Sequence, residues 1–162
     1  MDQSVSPIPE GMHSVTPYLT IKDAPSAIAF YQQAFSAEEL TRIPGPDGRL
    51  LHASLRIGDS VVMISEEFPE FGGKGPLALG GSPVSIHLYV ENADVSWARA
   101  TTAGCEIMMP LADTFWGDRF GTLRDPYGHL WSVASRIREL TPEEVVEAAA
   151  KIDFSGPCGG EG

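Results

Sequence analysis

The chain predicts an α+β fold built from two copies of one strand–helix–strand–strand–strand unit, and three observations carry that prediction. Sliding the sequence by 69 positions lays Val15 on Val84, Leu19 on Leu88, Ala24 on Ala93, Ala34 on Ala103 and Gly48 on Gly117. The segments VTPYLTIKDAPSAIAFYQQAF and VSIHLYVENADVSWARATTAG each read as an alternating strand, an Asp or Asn turn and a helix. Each is followed by a glycine-bearing turn, GPDGR or WGDR, and then by further short strands.

Taken in order, residues 1–13 form a polar lead-in with Pro7 and Pro9, and residues 14–68 the first module. Its strand covers Ser14–Ile21, and its helix runs from Ala24 to Ser36 behind an Asp23 N-cap, with Ile28, Phe30, Tyr31 and Phe35 as the apolar side. Strands near Glu39–Ile43, Leu50–Ile57 and Val61–Ser65 follow, turning at Pro46-Asp47-Gly48 and Gly58-Asp59. Residues 69–82, rich in glycine, read as a linker. The second module, 83–137, repeats the order: strand Val84–Val90, helix Ala93–Ala103, then strands near Glu106–Leu111, Arg119–Leu123 and Leu130–Ala134. Asp125-Pro126-Tyr127-Gly128 has the proline and glycine that a type I turn prefers. A C-terminal helix within 138–152 starts at Thr141, where Glu144 completes a capping box; residues 153–162 read as a disordered tail.

Composition excludes several function classes. At 162 residues the chain is long enough to bury about 70% of its unfolded surface. A net charge of −11 argues against nucleic acid or an acidic membrane surface, since both demand a basic face. No segment reaches membrane-spanning length and no leader is evident, so a cytoplasmic location is expected. Cys105 and Cys158 read as unpaired thiols, and neither sits in a recognisable nucleophile motif.

Period-two alternation assigns the faces of the strands. Leu19 and Ile21 oppose Thr16, Tyr18 and Thr20; Ile86 and Leu88 oppose Ser85, His87 and Tyr89; Leu51, Ala53 and Leu55 oppose His52, Ser54 and Arg56. The aliphatic sets belong beneath helices. The polar and aromatic sets then line a concave surface, the candidate site.

At this point VTPYLTIKDAPSAIAFYQQAF, HASLRIGDSVVMIS and FWGDRFGTLRDPYGHLWSV resemble the vicinal oxygen chelate superfamily of glyoxalases, bleomycin resistance proteins and extradiol dioxygenases. The resemblance covers about Ser14 to Arg136, and its last segment is most similar to the PhnB-like branch. It implies two βαβββ modules forming a curved mixed sheet around one cavity, usually in a homodimer. It also implies divalent-metal ligands on the first and last strands of each module, positions that fall here on Thr16, Met63, Ser85 and Ser132. Hydroxyls are weak donors to such ions and a thioether prefers soft ones, so no metal or other cofactor is expected. A shifted site of two imidazoles, His52 and His87, with Glu66 is an alternative, but the pattern does not place Glu66 beside them as the third ligand that a catalytic site has.

The remaining candidates are His52 and His87, as acid–base groups or structural hydrogen-bonders, and Tyr18, Arg56, Tyr89, Trp116 and Arg119 as ligand contacts. Arg119 either binds an anion or braces its hairpin against Asp118 or Asp125. Trp116 either covers the cavity or meets a dimer partner, while Trp97 and Trp131 read as packing. The expected function is metal-free binding of a small planar or partly anionic organic molecule. The alternatives are a lyase or isomerase using His52 or His87 as general base on a carbon acid, and a non-catalytic dimeric scaffold.

Overall fold

A computed structural model describes residues 5–152. The first module comprises β1 (Tyr18–Ile21), α1 (Ala24–Phe35), β2 (Glu38–Pro44), β3 (Leu50–Ile57) and β4 (Ser60–Glu66). The second comprises β5 (Ser85–Tyr89), α3 (Ala93–Ala103), β6 (Glu106–Asp113), β7 (Asp118–Arg124) and β8 (Leu130–Arg136). A 3-10 turn at Pro69–Phe71 and a one-turn helix α2 (Pro76–Leu79) connect them, and α4 (Pro142–Ala149) closes the described chain. The fold is α+β with two modules. Each module makes its own four-stranded mixed sheet, ordered β1-β4-β3-β2 and β5-β8-β7-β6. Among the described residues, no helix is long and apolar enough to cross a membrane.

The repeat holds in register but not at one constant spacing. Tyr18 pairs with Met63 and His87 with Ser132, so β1/β4 and β5/β8 are related by 69 residues. Glu38 pairs with Arg56 and Glu106 with Arg124, so β2/β3 and β6/β7 are related by 68. α3 has 11 residues against 12 in α1, which removes one position. The Asp125–His129 turn restores it, because Arg124 pairs with Leu130 where Arg56 pairs with Val61. A bulge recurs at equivalent places, between Glu39 and Thr41 and between Ile107 and Met109.

The modules meet through their helices. Phe35 packs on Trp131 with centroids 4.3 Å apart, and Tyr31 packs on Trp131 at 5.4 Å. Tyr31 and Trp131 have no exposed surface, and burying each large side chain contributes roughly 1.5–3 kcal/mol. Asp125, also buried, accepts at Oδ2 from Tyr31 (2.7 Å) and Trp131 Nε1 (2.8 Å), and at Oδ1 from the Tyr127 and His129 amides. Arg99 of α3 donates to the Ala34 carbonyl, adding a second polar tie.

One expectation is corrected. The first strand starts at Tyr18, not Ser14; Pro17 has no amide to give the ladder, and Thr16 bonds the His13 carbonyl ahead of the sheet. The glycine-rich linker is structured. Arg49 lies over the Phe68 ring at 4.3 Å and pairs with Glu70 at 2.6 Å, while the Gly75 amide donates to Glu67. Gly75 also needs its hydrogen, since a Cβ there would stand 2.7 Å from the Thr20 carbonyl. The C-terminal helix forms behind the Thr141–Glu144 capping box as expected, with Val145, Ala149 and Ile152 half-buried and Val146 exposed. Residues 1–4 and the tail from 153 on, with Cys158, lie outside the described residues.

Candidate functional site

β1 and β5 are each hydrogen-bonded on one side only, so the two modules present free strand edges. A groove of about 1340 Å³ runs along both, reaching Thr16, Tyr18, Ser85, His87 and Tyr89. Its other walls include the β3–β4 turn and residues of the connecting segment such as Pro76 and Leu79. Tyr18 and Tyr89 are 53% and 64% exposed, which is unusual for aromatic side chains unless something covers them.

On the first module, the helix-distant side of the sheet carries a hydrogen-bonded row. Tyr18 Oη and His52 Nδ1 are 3.0 Å apart, and His52 Nε2 is 3.0 Å from Ser54 Oγ. Strand pairing produces this row: Ser54 and Tyr18 both stand opposite Met63, one from each side of β4. Tyr18 reaches the groove, whereas His52 sits behind it. Arg56, further along the same face, is held by Glu38. Arg124 and Glu106 repeat that pair in the second module.

The second module carries an aromatic shelf instead. His87 Nδ1 is 2.7 Å from Ser132 Oγ, and the His87 ring meets Tyr89 edge-on at 4.5 Å and stacks near Phe120 at 5.9 Å. Trp116 meets Phe120 edge-on at 5.4 Å. Beneath the shelf lies Asp118, 4% exposed, whose Oδ2 accepts from Tyr89 Oη at 3.1 Å and Trp116 Nε1 at 3.2 Å. That bond to a carboxylate, more than burial, raises the Tyr89 phenol above its usual pKa.

The site residues expected from sequence therefore divide into two clusters. Tyr18 and His52 come together in one module; His87, Tyr89 and Trp116 come together in the other. Arg119 joins neither. It does not pair with Asp118 or Asp125 but donates to both oxygens of Asp94 on α3 (2.7 and 2.8 Å) and to Asp113 (2.9 Å). The reason is strand parity: Asp118 and Phe120 face the shelf, so Arg119 and Gly121 face α3. Phe120 and Asp118 were not among the expected contacts, although alternation with Thr122, which pairs with Ser132, assigns them to this face.

The positions implied for a metal do not fit one. Thr16 lies outside the strand, Ser132 bonds His87, and Met63 offers only a thioether. Glu66 is also committed: its two oxygens accept from the Asp23 and Ala24 amides at 2.6 and 3.0 Å, which caps α1. Among the described residues, no three His, Cys, Asp or Glu side chains converge as a metal would need.

Comparison with known proteins agrees with this architecture. The family model "Glyoxalase/Bleomycin resistance protein/Dioxygenase superfamily" matches residues 11–133. An uncharacterized protein of Mycobacterium tuberculosis is 46% identical over 138 residues, covering 83% of this chain and 81% of that protein. The crystal structure of TioX from Micromonospora sp. ML1 superposes with a TM-score of 0.60 at 27% identity, covering 80% of this chain and all of that one. Protein PA1353 from Pseudomonas aeruginosa superposes with a TM-score of 0.63 at 26% identity over 75% of this chain and 96% of that one. With a matching family model over most of its length and two βαβββ modules in its fold, the chain belongs to the glyoxalase/bleomycin resistance protein/dioxygenase superfamily.

Proposed function

We propose that this protein binds a small planar organic molecule without a metal, laying it on the shelf of His87, Tyr89, Trp116 and Phe120 where that shelf opens to the groove. The observation that carries this reading is the aromatic cluster itself, with Tyr89 exposed beside an apolar groove of ligand size. The donor set supports the absence of a metal, because hydroxyls and a thioether stand where hard ligands would be needed. Exposed Ile43, Ile107 and Met109 and the free edges of β1 and β5 fit a homodimer that would cover part of this surface. Placement in the PhnB-like branch rests on the segment from Phe115 to Val133.

The test is equilibrium binding of a panel of planar aromatic compounds, with Tyr89→Ala and Trp116→Ala as controls. Each truncation is expected to weaken a bound compound roughly tenfold, the scale of one lost stacking contact with its buried area. Compounds that bind equally well to both variants would place the ligand elsewhere. Metal content measured on the same preparation provides a separate check, and one stoichiometric divalent ion per chain would contradict the metal-free reading.

One observation favours a second reading, catalysis. The Tyr18–His52–Ser54 row links a groove-facing phenol to an imidazole, a route by which a proton could leave a bound carbon acid. In that case His52→Gln abolishes turnover and leaves ligand affinity unchanged; loss of affinity alone would assign His52 to binding.

A further inference from the structure

We infer that the molecule taken by the shelf carries a positive charge: the site is built for a planar organic cation, such as a quaternised or protonated nitrogen heteroaromatic, and not for the partly anionic compound expected from sequence. The inference rests on the shelf reading and adds the sign of the ligand's charge.

Two features carry it. The first is Asp118, a buried carboxylate on the shelf side of β7, satisfied only by neutral donors: the Tyr89 phenol and the Trp116 indole at Oδ2. Among the described residues, no guanidinium or ammonium nitrogen lies within 4 Å of it. Asp118 therefore has no ion-pair partner among the described residues, and water screens a buried charge less than an exposed one. The rings above it add their negative faces, which attract cations and are enriched by the carboxylate at their polar edges. The second feature is the fate of the arginines. Arg119 is engaged by Asp94 and Asp113 on the far face, Arg56 by Glu38 and Arg124 by Glu106, so these three are not free to receive an anion here.

Of the two arginines beside the shelf, Arg138 donates to the Thr114 carbonyl, and Arg136 has no side-chain hydrogen-bond partner among the described residues. It stands opposite Asp118 in the β7/β8 register, is exposed, and forms no ion pair among the described residues. Its charge lowers the Tyr89 phenol slightly against the raising effect of Asp118. A cationic ligand competes with that charge, so removing Arg136 strengthens binding of a cation and weakens binding of an anion. This opposite response separates the inference from a merely structural Asp118.

The experiment compares three probes sharing one ring system at neutral pH: N-methylacridinium, neutral acridine and an acridine carboxylate. N-methylacridinium is expected to bind about tenfold more tightly than acridine, and the carboxylate least well. Asp118→Asn, which retains an acceptor for Trp116 and Tyr89, should bring N-methylacridinium to the affinity of acridine and leave acridine unchanged. Arg136→Ala should tighten N-methylacridinium alone. Equal affinity for the cation and the neutral ring, or preference for the carboxylate, overturns the charge inference and leaves the shelf intact. Equal loss of all probes in Asp118→Asn, with no response to Arg136→Ala, also overturns it and makes Asp118 a brace for the rings. If none of the three binds, the shelf reading fails together with the inference.

Discussion

Tyr31 and Asp125, 94 positions apart in the chain, share a buried 2.7 Å hydrogen bond that joins the first module's helix to the last turn of the second. Asp125 also serves Trp131 and two backbone amides, so the carboxylate is fully used. Tyr31→Phe should lower unfolding free energy by about 1–3 kcal/mol, the range for leaving a buried acceptor short of a partner. Denaturant titration measures it, and an unchanged midpoint would show that the modules do not depend on this bond.

The same joint makes stability depend on pH at both ends. Burial, and then Asp125, hold the Tyr31 phenol well above its usual pKa of 10.0. The unfolded chain therefore releases that proton first, and stability present below pH 10 declines as pH rises past it. Burial depresses His129 below 6.5, more than Asp125 raises it. There the unfolded chain gains the proton first, so stability falls as pH drops through 6.5 and levels off below the folded-state pKa. Tyr31→Phe should flatten the alkaline limb and His129→Gln the acid limb. Curves of unfolding free energy against pH that match wild type in slope would contradict both assignments.

How far the sequence could be read depended on whether one rule sufficed. Patterns with a local cause were legible: the Asp23 and Thr141 caps, the burial of Ala53, Leu55 and Ile57 on β3 (though not of Leu51, which is exposed), and Trp131 as core follow from capping chemistry or period-two alternation. Arg119 was not. A constant 69-residue slide hides the residue lost at the end of α3 and regained in the Asp125 turn, and between those points the true offset is 68. With that offset His52 corresponds to Phe120 and Arg56 to Arg124, while Arg119 falls with Leu51 on the helix side. The Tyr31–Asp125 bond was out of reach for another reason, because no periodicity reports which buried phenol meets which carboxylate. The Arg49–Phe68–Glu70 contacts that order the connecting segment are long-range in the same sense.

Cys105 is buried, and burial together with the Asp125 charge pushes its thiol up to about 12. A thiol in that state offers almost no thiolate near neutrality, and thiolate is the reactive form. Cys105 should therefore resist a disulfide-exchange reagent in native protein and react promptly after denaturation. Rapid native labelling at Cys105, mapped by mass spectrometry, would mean that α3 and β6 open far more readily than the packing suggests.

Gly121 marks where α3 lies against its sheet. A Cβ at this position would sit 2.5 Å from the Trp97 ring of α3 and 2.9 Å from the Leu111 backbone of β6, so the helix and the strand are both pressed. Gly121→Ala should destabilise the second module by about 1–3 kcal/mol through overpacking. Trp97→Leu should recover part of that loss when combined with it. Thermal unfolding of the single and double variants checks the coupling, and purely additive effects would rule it out.

Glu66 provides the sharpest separation of a structural from a metal-binding carboxylate. Its oxygens accept from the first two amides at the start of α1, where the helix leaves donors unpaired, and Asp23 is held there in a left-handed conformation with φ 63°. Glu66→Ala leaves the buried Ala24 amide without its acceptor and should cost about 1–3 kcal/mol. Glu66→Gln keeps one acceptor oxygen but loses the charge that favours a helix N-terminus, and should cost less. If Glu66 instead served an ion, Glu66→Gln would be nearly as damaging as Glu66→Ala, and added divalent metal would stabilise wild type but neither variant. Thermal melts of the three proteins with chelator and with added zinc or nickel therefore decide between the two roles. The cap predicts three melting points in the order wild type, Gln, Ala, each unmoved by chelator.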